Sequence, residues 1–386
     1  MEAEVALAVS PRSWSDRLHR FIADHGGVRV RTRVMTPEDA LAESYEVLVI
    51  DDITSFLTRR LVAQVRSDGR LVLGVYDPVE APEGKQRLAD VGVDDVIEAD
   101  ATPDEFLIAI RALASSRSVP GPVPKPLVVA PPRRTGTVVV VTGASGGVGA
   151  SEIAIALCVA LVSRSPGTVL VDADDQGPSL AQRLALHLEP NLRAAIDILH
   201  HGNGDPAAAL TRPRKTMLDV LPGLASRADW FELRPADVIE VIERLASRRP
   251  VVVANVGHGI EDLPSFGGPM RTGVARAAIA AADQVVVVAS GSPVGLARLL
   301  DWLAEARPLL EGTPAHVVVN RATGSLYRRA EIARELDAAS YAASISFTPE
   351  DRSLETAAWA GDLVAGKKFR RPLRRLARMI ESGGTR

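Results

Sequence analysis

The residues with the clearest chemical capacity lie in VVVVTGASGGVGAS, Val138 to Ser151. Gly146, Gly147 and Gly149 are free to take positive φ, so successive backbone N–H groups can converge on phosphate oxygens at the positive end of the helix that follows. Val148 and Ala150 complete the loop, and the Ser151 hydroxyl stands where such loops ligate Mg²⁺. Lysine is absent from both positions where it usually accompanies the loop, which hold Ser145 and Ala150. Of the 45 basic residues only Lys85, Lys125, Lys215, Lys367 and Lys368 are lysine, yet neither loop position carries arginine instead. Phosphate can be held here, with charge neutralisation weakened. Downstream, VLVDADDQGPSL puts Asp172 and Asp174 at the end of an apolar run. A carboxylate at a strand's C-terminal end beside a phosphate loop is where a water-positioning base is needed. Helix capping and solvated turn acidity are the plainer reading of the same segment.

These groups must be positioned by alternating strands and helices. Val138–Val141, Thr168–Val171, Val251–Val253, Gln284–Ala289 and His316–Val319 read as buried strands separated by helical stretches, the first of them Glu152 to Val162. The pattern predicts a doubly wound parallel sheet. A second, smaller set precedes it: Val5–Val9, Val28–Val30, Val47–Ile50, Leu71–Val75 and Asp95–Ile97. Between the two sets, Pro120, Pro122, Pro124, Pro126, Pro131 and Pro132 punctuate Val119 to Thr135, which reads as an extended spacer. The expected organisation is α/β throughout, with domains at 1–116 and 136–386 and a linker over 117–135.

With 386 residues and 46% hydrophobic content, the chain can bury more than one core. A net charge of −3 argues against whole-chain attraction to nucleic acid or anionic lipid. The single cysteine, Cys158, excludes an intrachain disulfide framework and reads as a small core residue. No apolar run is long enough to span a bilayer and no signal core opens the chain, so a cytoplasmic protein is expected.

The first half resembles a response-regulator receiver domain, notably in GVDDVIEADATPDEFLIAIRAL from Gly92 to Leu113. The resemblance implies a flavodoxin-like fold with Asp51 at the phospho-acceptor position. Ser10 and Pro11 replace the family's acidic pair, and Ala99 and Asp100 stand where its lysine belongs. Without those groups an acyl phosphate lacks its Mg²⁺ and its ammonium. The half therefore reads as a degenerate interaction or dimerisation module, with Asp51 and Asp52 capping a helix that begins near Ser55.

The second half resembles the MinD/ParA family of deviant Walker ATPases, whose loop is KGGxGK[ST] against Gly146, Gly147, Gly149 and Ser151 here. Its pairing with a degenerate receiver is similar to the CpaE/TadZ proteins and the actinobacterial septum-site proteins called Ssd. The resemblance implies a P-loop NTPase-like fold binding ATP or ADP with Mg²⁺. It places Asp172 near the metal and loop with Ser151, gives Asp174 the role of orienting the attacking water, and assigns Asn320 and Arg321 to the adenine. The stretch Ile345 to Gly361 is similar to the family's late base-pocket segment, so that Pro349 and Asp351 line the base pocket or cap the next helix. At the Walker B position stands Asn255, a neutral amide and a poor substitute for a carboxylate at a divalent metal. The nearby His258 reads as structural or solvated.

In KKFRRPLRRLARMI, Phe369, Leu373, Leu376 and Ile380 fall at helical spacing among Lys367, Lys368, Arg370, Arg371, Arg374, Arg375 and Arg378, with Pro372 expected in the first turn or at the start of the helix. A membrane-surface helix, a DNA-backbone patch and, by resemblance, a final helix packed on the ATPase core are all open. The combined reading is a homodimeric positioning protein that binds adenine nucleotide with weak or no hydrolysis. By resemblance it serves Tad pilus or secretion machinery or the division septum, at a pole, at the septum or at the inner membrane face through the basic helix. The alternatives are an active ATPase switch, in which Arg183 or Arg321 replaces the lost lysines, and a nucleotide-free dimeric scaffold.

Overall fold

The computed structural model describes residues 2–383 except 55, 117–134, 201–203, 215, 262–270, 323–325, 339–341 and 364–365. The proline-rich spacer lies outside the described residues. The rest forms two compact units.

In the first unit, β1 (Glu4–Ala8), β2 (Arg29–Val34), β3 (Val47–Asp51), β4 (Leu71–Tyr76) and β5 (Asp95–Glu98) form a wholly parallel sheet in the order β2-β1-β3-β4-β5. That is the doubly wound order of flavodoxin-like sheets. Alternate strand residues face opposite layers because side chains alternate along a strand. Val5, Leu7, Val47, Val49, Leu73 and Val75 pack with Trp14, Leu18 and Ile22 of α1 (Trp14–His25) and with Phe106 and Ile110 of α5 (Pro103–Ser116). Ala6, Leu48, Ile50 and Val72 face the other way, onto α2 (Pro37–Ala42), α3 (Arg59–Ser67) and α4 (Gly84–Val91).

The expected capping by Asp51 and Asp52 does not occur. The helix after β3 starts at Arg59, and its cap is Thr58, whose side chain accepts the Leu61 N–H at 3.1 Å. The two carboxylates are instead held by residues far back in the chain. Asp51 accepts from Ser10 Oγ and Trp14 Nε1, both at 2.6 Å. Arg12 Nη1 lies 2.6 Å from Asp51 and 2.5 Å from Asp52, while its Nε reaches Glu80 at 2.9 Å. Burial, then the neighbouring Asp51, push the Asp52 carboxyl above its ordinary range against the pull of Arg12.

The second unit has seven parallel strands in the order β12-β11-β10-β6-β9-β7-β8. They are β6 (Thr137–Gly143), β7 (Val169–Ala173), β8 (Asp219–Leu221), β9 (Val251–Val256), β10 (Gln284–Ser290), β11 (Ala315–Asn320) and β12 (Ser344–Phe347). The short edge strands β8 and β12 add to those read from the sequence. One face carries α8 (Leu192–His200), α9 (Pro235–Ala246), α10 (Gly273–Ala280), α11 (Pro293–Leu310) and α12 (Leu326–Ala338). The other carries α6 (Ala150–Val162) and α14 (Lys367–Gly383). Two short helices, α7 (Leu180–Arg183) and α13 (Ser353–Ala360), flank the strands' carboxyl ends.

The C-terminal helix settles one expectation. Phe369, Leu373, Leu376, Ala377 and Ile380 are buried against α6, together with Cys158. The apolar stripe is core, so it is not available for insertion into a lipid surface, while Lys367, Lys368, Arg371, Arg374, Arg375 and Arg378 stay exposed. Pro372 falls in the second turn of α14 rather than the first. A buried polar chain also pins this helix: Gln284 Nε2 donates to the Ile380 carbonyl at 2.8 Å, and His316 joins Gln284 Oε1 at 2.9 Å to Ser344 Oγ at 2.8 Å. Burial lowers the His316 pKa to about 4.

Candidate functional site

The glycine loop leaves the carboxyl end of β6, a strand buried between β10 and β9. Connections diverge to both sides of β6, the switch-point geometry at which open α/β sheets bind ligands. Gly147 (φ 76°) and Gly149 (φ 91°) take the left-handed backbone that the loop requires. A Cβ on Gly149 would lie 2.6 Å from Asn320 Nδ2, whereas one on Gly147 would point into open space. Gly149 is the N-cap of α6, and Ala150 and Ser151 open the helix.

The end of β11 reaches across to this loop. Asn320 Nδ2 donates to the Val148 carbonyl at 2.9 Å, and Arg321 Nη1 donates to the Gly147 carbonyl at 3.3 Å. Peptide units are trans, so these two carbonyls, turned toward β11, direct the Val148 and Gly149 N–H groups the opposite way. Asn320 Oδ1 accepts from the Arg321 N–H at 2.9 Å and from Thr348 Oγ1 at 2.8 Å. The amide oxygen is thus committed within the protein, which leaves Asn320 a donor, not the donor–acceptor pair, for a base edge. Beside it lies a cavity of about 400 Å³ walled by Gly149, Arg321, Pro349, Glu350, Arg352 and Phe369. Asp351 both lines this space and caps α13, accepting the Ser353 N–H at 3.0 Å.

The acidic segment after β7 behaves differently from its expected role. Asp172 Oδ2 accepts the Ser179 and Leu180 N–H groups, both at 2.9 Å, at the start of α7. Its Oδ1 accepts from Asn255 Nδ2 at 3.2 Å and from the Asp174 N–H at 3.4 Å. With four donors and full burial, the carboxylate acts as a cap and cross-strand anchor, and burial raises its pKa to about 6. Ser151 Oγ lies 3.2 Å from Ser179 Oγ. The remaining candidate for a cation is Asn255 Oδ1, buried and without a partner. One hydroxyl, one amide oxygen and an Asp172 carboxylate that already accepts four donors do not fit a Mg²⁺ held by these groups.

Asp174 forms an acidic turn, its Oδ1 accepting the Gln176 and Gly177 N–H groups at 3.0 and 2.9 Å. It lies close to Gly257, whose carbonyl accepts from Thr142 Oγ1 at 2.8 Å at the base of the loop. His258 is exposed beside Gly146. Arg183 is occupied: its guanidinium makes a two-point ion pair with Glu152 and donates to the Asp362 carbonyl at 3.0 Å.

Asp175 escaped the sequence reading. Its side chain is buried, Oδ1 has no hydrogen-bond partner, and burial followed by the neighbouring Asp174 raises its pKa to about 7. Only its place in the DADDQG run hinted at this. Because the folded pKa lies above the ordinary 3.8, the folded state keeps a proton that the unfolded state has lost between about pH 4 and pH 7. Stability attributable to Asp175 therefore falls across that window, by on the order of 4 kcal/mol in total. His316 acts in the opposite sense, so the effect is isolated by comparing wild type with Asp175→Asn. Urea unfolding should show the variant gaining on wild type at pH 8, with the difference closing near pH 4.

Two solved structures share the fold of the second unit. A ParA family ATPase from Chlorobium tepidum TLS matches with TM-score 0.52 at 19% identity, covering 63% of this chain and 98% of that one. The cell division ATPase MinD of Pyrococcus furiosus matches with TM-score 0.50 at 21% identity, covering 64% and 99%. No protein-family model and no curated protein sequence matches the chain. The second unit thus has a P-loop NTPase-like fold. Within that class its architecture is that of the ParA and MinD ATPases.

Proposed function

We propose that the chain is a CpaE/TadZ/Ssd-like positioning protein whose second unit binds adenine nucleotide and hydrolyses it slowly or not at all. The observation that carries this reading is a phosphate loop of the right backbone form, opening beside a cavity of about 400 Å³, with its cation and metal-binding side chains replaced or already engaged. The backbone N–H groups of the loop hold phosphate, while Pro349 and the Asn320 donor border the base and Arg321 stands between the two. Ser151 and Asp172 do not form a metal site between them in this reading. Asp174 remains the group that would position water in any residual turnover.

The first unit, residues 1–116, is a receiver-like module without phosphorylation chemistry. The flavodoxin-like strand order and the carboxylates Asp51 and Asp52 at the end of β3 support this. The protein works as a homodimer formed without nucleotide, with Tad secretion, pilus or cell-division proteins as partners, and is cytoplasmic with a polar or septal position. Among the described residues no helix is long and apolar enough to cross a membrane. Calorimetric titration with ATP and ADP, with and without Mg²⁺, should give binding that Mg²⁺ changes little, and phosphate release from the same preparation should stay near background. Robust release abolished by Asp174→Ala would favour the active switch instead. Failure to bind at millimolar nucleotide would favour the scaffold.

A further inference from the structure

The loop contains no cation of its own, since Ser145 and Ala150 are neutral and Arg183 is held by Glu152 and the Asp362 carbonyl. The guanidinium that meets the loop comes from elsewhere in the fold. Arg321 stands at the end of β11, lines the cavity together with Gly149, and touches the loop through Gly147. A nucleotide with its base in that cavity and its terminal phosphates over the loop must run past this residue.

Resting on the nucleotide reading above, we propose that Arg321 is the cation that neutralises the bound polyphosphate, delivered from β11 instead of from α6.

Three features support the assignment. The existing bond to Gly147 is weak: it is 3.3 Å long, solvent-exposed and made to a neutral carbonyl. A phosphate oxygen offers a shorter, charge-assisted and bidentate alternative, so the side chain exchanges partners at little cost. Arg321 also has φ 50°, a left-handed conformation that disfavours a residue with a long side chain. Backbone strain of this kind persists where the surroundings over-determine it, and here the Asn320 carboxamide does so by accepting the Arg321 N–H. Finally, Asn320 ties the loop to the same strand end, so β11 carries both the loop's anchor and the charge beside it. The other exposed arginine on the cavity, Arg352, stands at the start of α13.

Calorimetry on the full chain with ATP, ADP, tripolyphosphate and adenosine tests this. Arg321→Asn, which tolerates the left-handed backbone, should weaken ATP, ADP and tripolyphosphate about tenfold or more and leave adenosine within about twofold. Arg321→Lys should recover part of the loss, and Arg352→Asn should leave tripolyphosphate unchanged. Thermal unfolding should show that Arg321→Asn is at least as stable as wild type. Equal losses for adenosine and tripolyphosphate would assign Arg321 to the base or to structure and overturn the inference, as would unchanged tripolyphosphate affinity. Arg321-dependent tripolyphosphate binding without adenosine binding would uphold it while removing the adenine reading. A wild-type protein that binds none of the four ligands would remove both.

Discussion

Arg12→Ala will destabilise the first unit by about 3–5 kcal/mol. Arg12 is 8% exposed and both of its carboxylate partners at the end of β3 are fully buried, so truncation removes the cation they share and leaves Asp52 with the more distant Arg87 at 3.6 Å. The cost of leaving a buried charge without its partner exceeds what the pair itself contributes, because desolvation has already been incurred. Hydrogen exchange of the β1 and β3 peptides reads the effect without interference from the second unit. A second variant separates charge from packing: Arg12→Ala combined with Asp52→Asn should regain at least half of the loss. A single-variant loss below about 1 kcal/mol would show that the guanidinium is dispensable. The same geometry keeps Asp51 unreactive, since Ser10, Arg12, Trp14 and the Ile53 N–H all donate to it. Incubation with acetyl phosphate should leave the mass of the wild-type protein unchanged.

Ala150→Lys will raise affinity for ATP between about tenfold and a hundredfold, the range given by one added charge-assisted hydrogen bond. Position 150 opens α6 beside the converging N–H groups, so an ammonium there adds to an anion site whose backbone is already set. Turnover should not rise with it. Asp172 stays committed to Ser179, Leu180 and Asn255, and β9 beside it still carries the amide of Asn255 in place of a carboxylate. Phosphate release that climbs in step with affinity would show that the missing lysine alone limits hydrolysis. Unchanged affinity would mean that the loop does not bind phosphate in the expected orientation.

Much of the architecture was legible because the information was local. Runs of valine mark β6, β9, β10 and β11, and the glycine cluster marks the turn before α6, each within a few residues. The edge strands β8 and β12 were missed because three or four residues carry too little periodicity, and their pairing is decided by β7 and β11 far away in the chain. The tail's apolar spacing was visible, but its partner was not: only the fold reveals that α6 presents the complementary surface. At the site, the loop glycines were read from the sequence, and Gly147 and Gly149 take the positive φ allowed to them while Gly146 does not. The engagement of Asp172 and Asn320 was not legible, because the donors to Asp172 include a residue 83 positions away and Asn320 bonds a carbonyl 172 positions away. Arg12 was hidden for the same reason, since nothing near it in sequence announces two aspartates across the sheet.

The seating of α14 on α6 has a consequence for biogenesis. The helix that follows the phosphate loop is apolar on nearly every side, so it has no surface suited to water. Its cover is the last described element in the chain, and until that cover emerges from the ribosome the nascent protein carries an open greasy flank. Completion of this sheet face therefore waits until Lys367–Gly383 has been made, and a chain clipped before Lys367 would present chaperones and proteases with the surface by which they recognise unfinished proteins.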